Sequence, residues 1–211
     1  MKNYKYIAIE GNIGAGKTSL ATRLAQQWNA RLVLEEFADN PFLPKFYQQP
    51  ERYAFPLELS FLSERFSQLK KEVTNDDMFA PLVVSDYIIS KCQIFAKNNL
   101  QNDEYQLFLK MYEIVDASVS KPDLVVYLYK SVDKLLENIR RRGRDYEQNI
   151  SSEYLENIHA QYMEFIRQHE ELRVVIVDTE KLDFVNNPAH YSLIEQIFHR
   201  EYPRGVTRLQ F

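Results

Sequence analysis

Short apolar runs of strand length recur along this chain, and longer stretches of mixed character separate them. The runs are residues 4–9, Arg31-Leu32-Val33-Leu34, Leu82-Val83-Val84, Leu124-Val125-Val126-Tyr127-Leu128 and Val174-Val175-Ile176-Val177. They are largely continuous, with little alternation between apolar and polar, which is the pattern of strands covered on both faces. The stretches between them predict helices over 17–28, 51–72, 88–100, 103–119, 132–141 and 152–171, with a last one near 189–199. Asn40-Pro41-Phe42 breaks the pattern before an aromatic-rich stretch, Pro122-Asp123 introduces the fourth strand, and Asn187-Pro188 leads into the final helix. The tail after Pro203 reads as frayed. Five strands separated by helices predict an α/β fold: a doubly wound, parallel, five-stranded sheet flanked by helices. Ligands of such sheets sit at the carboxyl ends of the strands. The polar groups to examine are therefore the loop at Gly11, then Glu35, Ser85-Asp86, Lys130-Ser131 and Asp178.

The loop after the first run is Gly11-Asn12-Ile13-Gly14-Ala15-Gly16-Lys17-Thr18, an unbroken G-x-x-x-x-G-K-[ST] between a strand and a helix. That is the context a P-loop needs. Glycines let the backbone wrap a phosphate, and the loop N–H groups with the helix N-terminus present positive potential to it. In this reading Lys17 reaches the β- and γ-phosphates of ATP and Thr18 places its hydroxyl on Mg²⁺. The plain alternative is a Gly-rich turn that binds nothing. The chain has only five glycines, and three of them fall in register here.

Composition narrows the partners more than the fold. The chain has 211 residues, of which 45% are hydrophobic and 27% charged, and a formal net charge of −4. That fits a single domain and an ordinary globular protein. The charge favours a small nucleotide ligand over DNA or RNA, and no apolar run approaches membrane-spanning length. The single cysteine, Cys92, has no internal disulfide partner and reads as a small packed side chain. With no recognisable signal peptide, the expected location is the cytoplasm.

A second unusual stretch is Arg140-Arg141-Arg142-Gly143-Arg144, where a predicted helix ends. A solvated basic helix terminus would complement the helix dipole. Four arginines around a glycine also suit a lid that closes on a transferring phosphoryl group. Glu35 ends the strand expected beside the P-loop strand, where a carboxylate could take the proton of an attacking hydroxyl. Glu36 competes for that role, because successive strand side chains point to opposite faces, and a solvated strand end is the bland reading of both.

Taken in order, these residues resemble the deoxynucleoside kinases, most closely the bacterial deoxyguanosine kinases. The similarity runs from about Tyr6 to about Phe184. It rests on Ile9-Glu10 with the P-loop, on Asp39-Asn40-Pro41-Phe42-Leu43-Pro44-Lys45-Phe46-Tyr47, and on Arg52-Tyr53-Ala54-Phe55-Pro56-Leu57-Glu58. Ser85-Asp86-Tyr87, Ile94-Phe95-Ala96 and Arg142-Gly143-Arg144-Asp145-Tyr146-Glu147 complete it. The resemblance implies that Glu35 takes the 5′-hydroxyl proton and that Arg142 and Arg144 are the lid residues on the phosphates. It further implies that Tyr47 and Glu147 hold the sugar 3′-hydroxyl, that Leu57 and Glu58 belong to the substrate pocket, and that Phe95 walls the nucleobase. Asp183-Phe184 resembles the loop bordering the adenine of ATP. Core packing is the alternative for each aromatic. A homodimer through the helices at 88–119 is the family expectation.

Two departures bear on substrate. Many relatives carry Asp/Glu-Arg-Ser where this chain has Ser85-Asp86-Tyr87. Asp86 could hold Mg²⁺, directly or through water, and a salt bridge or strand-end cap is the alternative. Where many relatives have glutamine facing the base, this chain has Glu58. An ionised carboxylate accepts from both N1–H and N2–H of guanine, whereas adenine and cytosine suit an amide better. Arg65, seven residues on, shares the helix face with Glu58 and could donate to O6 or N7, and Lys91 could do likewise. A purely structural Glu58–Arg65 salt bridge is the competing reading. The implied activity is ATP-dependent phosphorylation of a purine deoxynucleoside, deoxyguanosine favoured. The rivals are a deoxyadenosine or broad-specificity kinase, a nucleoside monophosphate kinase, and a nucleotide-binding regulator. The monophosphate kinase would need a basic site near Glu35, and none is evident in the sequence. The regulator would need an Asn-Lys-x-Asp segment, which is absent.

Overall fold

The computed structural model describes residues 4–36, 40–73 and 82–211. The strands are β1 (Tyr6–Gly11), β2 (Arg31–Val33), β3 (Val83–Ser85), β4 (Leu124–Tyr129), β5 (Arg173–Asp178) and β6 (Gly205–Leu209). They form one all-parallel sheet in the order β2-β3-β1-β4-β5-β6. The continuous apolar runs have a simple cause. Ile7 and Ile9 of β1, Leu124, Val126 and Leu128 of β4, and Val175 and Val177 of β5 enter the core on one face. Tyr6 and Ala8, Val125 and Tyr127, Val174 and Ile176 enter the core on the other. A strand with two buried faces has no position left for a polar residue until its end.

The helices are α1 (Lys17–Trp28), α2 (Leu43–Gln48), α3 (Pro50–Val73), α4 (Lys91–Asn99), α5 (Asn102–Asp116), α6 (Val132–Arg142), α7 (Ser152–Gln168) and α8 (Pro188–Glu195). Local chemistry sets several of their ends. The Ser151 side chain accepts from the Tyr154 N–H at the start of α7, and that of Asn187 accepts from Ala189 and His190 at the start of α8. Gly143 ends α6 at φ 73°, a left-handed conformation that suits glycine. The aromatic-rich stretch after Asn40 contains α2, which the periodicity did not announce. α7 stops at Gln168, short of the expected Glu171, so that β5 can begin at Arg173. Asp39 of the family-like segment lies outside the described residues.

Two expectations are corrected. The sheet has six strands among the described residues, five having been expected, because the tail after Pro203 is β6. It pairs with β5 in the register Val174↔Val206 and Ile176↔Arg208. Its side chains are half-buried or exposed along its length, with Leu209 packed against the core, so it is attached mainly through the backbone, which leaves no hydrophobic run to read. The Gly205 N–H donates to the Leu172 carbonyl at 2.7 Å and the Arg173 Nε to the Tyr202 carbonyl at 2.6 Å, which anchors its entry. The second correction concerns neighbours. β2 does not lie beside β1; β3 lies between them. Among the described residues no helix is long and apolar enough to cross a membrane.

Candidate active site

β1 lies between β3 and β4, so the loop Gly11–Thr18 emerges near the middle of the sheet's carboxyl edge. Gly14 and Gly16 have φ of 84° and 94°. A Cβ on Gly14 would come within 2.8 Å of the Leu135 carbonyl oxygen, and one on Gly16 within 2.9 Å of the Phe184 ring. Both positions thus exclude a side chain by conformation and by contact. α6 braces the loop, with Asn138 Nδ2 donating to the Gly14 carbonyl at 2.9 Å. Lys17 Nζ donates to the carbonyls of Gly11 and Asn12, 3.0 Å each, so its ammonium lies curled over the loop. Burial, reinforced by the nearby Lys91, pushes Lys17 down to about 8, with Glu10, Glu35 and Asp86 pulling the other way.

Thr18 Oγ1 donates to Asp86 Oδ2 at 2.5 Å, and Asp86 Oδ1 accepts the Glu35 N–H at 2.8 Å. A hydroxyl and a carboxylate at the P-loop's edge are the hard oxygen donors that Mg²⁺ takes, with water and phosphate completing its shell. Among the described residues no group of three or more His, Cys, Asp or Glu side chains could hold a metal unaided. The donor set therefore fits an ion that arrives with phosphate. The same contacts also make Asp86 a cap on the chain after β2, so both readings of that residue draw on real geometry.

A cavity opens beside the loop. It gathers Lys17, Thr18, Glu35, Tyr47, Leu57, Glu58, Arg65, Asp86, Lys91, Phe95, Arg142, Arg144 and Glu147, all singled out from sequence. At its floor Glu35 is held by two cations. Arg65 donates to Oε1 through Nε at 2.9 Å and also through Nη2, and Lys91 Nζ donates to Oε2 at 2.5 Å. Burial alone would raise the Glu35 carboxyl, but the Lys91 ammonium and the Arg65 guanidinium outweigh it and hold the group far below the ordinary range. The chain therefore does have basic groups near Glu35, delivered by α3 and α4, and both are spent on neutralising it. Glu36 is exposed, with Gln68 Nε2 donating to it at 3.2 Å.

Arg65 thus does not pair with Glu58. Its third contact is Nη1 to Cys92 Sγ at 2.9 Å, which gives the buried Cys92 a structural partner. Glu58 is 1% exposed. Its Oε1 accepts from Asn99 Nδ2 at 2.7 Å, and its Oε2 has no hydrogen-bond partner among the described residues. Burial pushes its carboxyl up to about 7; the Asn99 hydrogen bond and Arg65 only partly oppose this. Phe95 meets Tyr162 edge-on at 6.3 Å, and the Lys91 ammonium lies 5.5 Å over the Phe95 ring. Leu57 is buried in a small apolar cluster with Phe46, Ala54 and Phe61.

At the mouth, Glu147 accepts from Arg142 and, at 3.1 Å, from Arg144, so the two arginines straddle one buried carboxylate. Tyr47 and Tyr146 stack with centroids 6.0 Å apart. A second cavity runs from the P-loop to Asp183 and Phe184, past Lys130, Asn138 and Arg141. Phe184 is buried beneath Gly16, whereas Asp183 is exposed and accepts from the Asn186 N–H and side-chain amide. Sequence reasoning missed Glu10 as a structural group: its carboxylate accepts from the backbone N–H of Ile88 and Gly11 and from the Tyr162 hydroxyl. It also missed Phe46, Phe61, Asn99 and Tyr154 in the first cavity. Asn99 had a signal, since Lys91, Phe95 and Asn99 fall at spacing four on one helix face.

Comparison with known proteins gives the family. Residues 7–200 match the family model described as deoxynucleoside kinase. The chain is 38% identical over 200 residues to a deoxyguanosine kinase of Bacillus subtilis, covering 92% of this chain and 96% of that one. It is 36% identical over 216 residues to a deoxyadenosine kinase of Dictyostelium discoideum, covering 96% and 86%. A solved deoxyadenosine kinase from M. mycoides, with the products dCMP and a flexible dCDP bound, superposes with a TM-score of 0.80 at 25% identity. It covers 92% of this chain and 98% of that one.

Proposed function

This chain belongs to the deoxynucleoside kinase family and is a phosphotransferase, and on that premise we propose that it moves the γ-phosphoryl group of ATP to the 5′-hydroxyl of a purine deoxynucleoside, deoxyguanosine favoured. The relatives divide between deoxyguanosine and deoxyadenosine kinases, so the preference rests on this chain's own residues. The observation that carries it is Glu58: a buried carboxyl lining the cavity, with one oxygen unpartnered. Ionised, it offers guanine two acceptors for N1–H and N2–H.

The donor would lie along the second cavity, its phosphates on the P-loop, Lys17 and the lid arginines. Mg²⁺ would be held by Thr18 and, directly or through water, by Asp86; it supplies charge neutralisation at the phosphates. Glu35 aligns the 5′-hydroxyl. An anion stabilised by two cations is a weak base, but phosphoryl transfer with a loose transition state asks mainly for position and late acceptance of the proton. Glu147 and Tyr47 would take the 3′-hydroxyl. That binding competes with the hold of Arg142 and Arg144 on Glu147 and would release the arginines toward the phosphates. The chain would work in the cytoplasm as a homodimer, and the exposed apolar residues Leu107, Met111 and Ile114 on α5 support an interface there. Product analysis with ATP, Mg²⁺ and a panel of deoxynucleosides and monophosphates tests the reading. Deoxyguanosine should give the highest kcat/KM, and phosphorylation of monophosphates alone would refute it.

A further inference from the structure

We propose that Glu58 and Asn99 form a proton-dependent base reader, in which the ionised carboxylate selects a guanine-type edge and the protonated carboxyl selects an adenine-type edge. The inference rests on the purine-deoxynucleoside reading above and concerns how that site chooses between two purines.

The geometry sets the two states apart. Asn99 Nδ2 donates to Glu58 Oε1 at 2.7 Å, and Asn98 Nδ2 donates to Asn99 Oδ1 at 2.9 Å, which orients the Asn99 amide. Oε1 is therefore an acceptor in both protonation states. Any proton on Glu58 goes to Oε2, the buried oxygen with no partner among the described residues. Glu58 lines the cavity, and without its proton it carries two acceptors, Oε2 and the second lone pair of Oε1, matching N1–H and N2–H of guanine. With its proton it presents a donor at Oε2 beside an acceptor at Oε1, matching N1 and N6–H₂ of adenine. In each mismatched case a buried donor faces a donor or an acceptor faces an acceptor, and hydrogen-bonding sites discriminate strongly through such pairs.

The surroundings leave the choice open near neutrality. Arg65 on the same helix, Lys91 on α4 and the Asn99 hydrogen bond favour the ionised form. Burial, the larger cause, and Glu35 just after β2 oppose it. Across the cavity the charges of Arg142, Arg144 and Glu147 are already paired. The two nearest cations are spent on Glu35. The balance places the carboxyl at about 7.

The test is kcat/KM for deoxyguanosine and deoxyadenosine, measured on the full-length protein between about pH 6 and about pH 8. Titrations common to both substrates, Lys17 included, cancel in their ratio. The ratio should rise with pH toward about tenfold per pH unit, the slope of a single linked proton. In Glu58→Gln the ratio should be flat and shifted toward deoxyadenosine. In Asn99→Ala the pH response should move to higher pH, because the lost donor had favoured the ionised form. Calorimetry in two buffers of different ionisation heat gives a readout independent of turnover: deoxyguanosine binding should release protons and deoxyadenosine binding should take them up. A wild-type ratio that is flat with pH, together with a Gln variant that still changes preference, overturns the switch and leaves the base-reading role intact. A Gln variant with the wild-type ratio at every pH removes Glu58 from base reading altogether.

Discussion

Two carboxylates, the half-buried Glu35 and the buried Glu58, line the same cavity and are driven in opposite directions. The difference lies in their partners: two cations touch Glu35, and one neutral amide touches Glu58. Glu35→Gln should lower kcat by about 10²-fold with nucleoside affinity little changed, at the low end for general-base groups because this carboxylate is a weak base. Glu36→Gln, altering an exposed side chain, serves as the register control and should behave as wild type; the reverse pattern would move the role to Glu36. Glu58 carries a stability signature as well. Its folded-state value of about 7 exceeds the ordinary 4.5, so its contribution is complete below about 4.5 and is lost as pH rises through about 7. The loss is at most about 3 kcal/mol. A Gln side chain has no charge to bury, so the melting temperature of Glu58→Gln relative to wild type should rise between about pH 5 and about pH 8. Parallel curves would show that Glu58 is not strained by ionisation.

At the scale of elements, the site depends on where helices start and stop. α1 begins at the P-loop, α6 ends at Gly143 so that Arg142 and Arg144 reach back over the cavity, and α3 and α4 bring Arg65 and Lys91 to the end of β2. Arg144→Ala should reduce kcat more than it weakens nucleoside binding, because the proposed lid acts on charge that develops during transfer. Paired measurements of kcat and affinity decide it, and a large affinity loss at normal kcat would assign Arg144 to the nucleoside. β6 is an edge strand attached through backbone pairing to β5. Deleting residues 204–211 should lower the melting temperature by several degrees, since about 1–2 kcal/mol corresponds to such a shift in a chain of this size. Circular dichroism melts check this, and an unchanged melt would show that β6 adds nothing.

Across the whole molecule, the sheet separates two apolar cores, and each central strand contributes to both. We infer that the chain unfolds as one unit, since neither core survives without the shared strands. That frame makes the P-loop separable from stability. Lys17→Ala should keep a wild-type circular dichroism spectrum while losing most turnover and most of the thermal stabilisation conferred by ATP. Undiminished turnover would refute the kinase reading of the loop.

The local signals in the chain were enough for the P-loop motif, the parallel α/β class and the arginine cluster at the end of α6. Each depends on neighbours in sequence: glycine spacing, continuous apolar runs, a cluster at a helix end. The identity of most cavity residues was also legible, through family-like segments lying in the same order. Tertiary structure decided what those residues do to one another. That β3 intervenes between β1 and β2 cannot be read from either strand, because neighbours in a parallel sheet are chosen by the path of the crossovers. Arg65 shares a helix with Glu58, yet it pairs with Glu35 in the loop after β2, and the partner of Glu58 is an asparagine 41 residues away. A carboxylate's charge state follows from burial and from such distant partners, and neither is a property of local sequence. β6 was invisible for a related reason: its attachment is made mainly by backbone groups, which every residue carries.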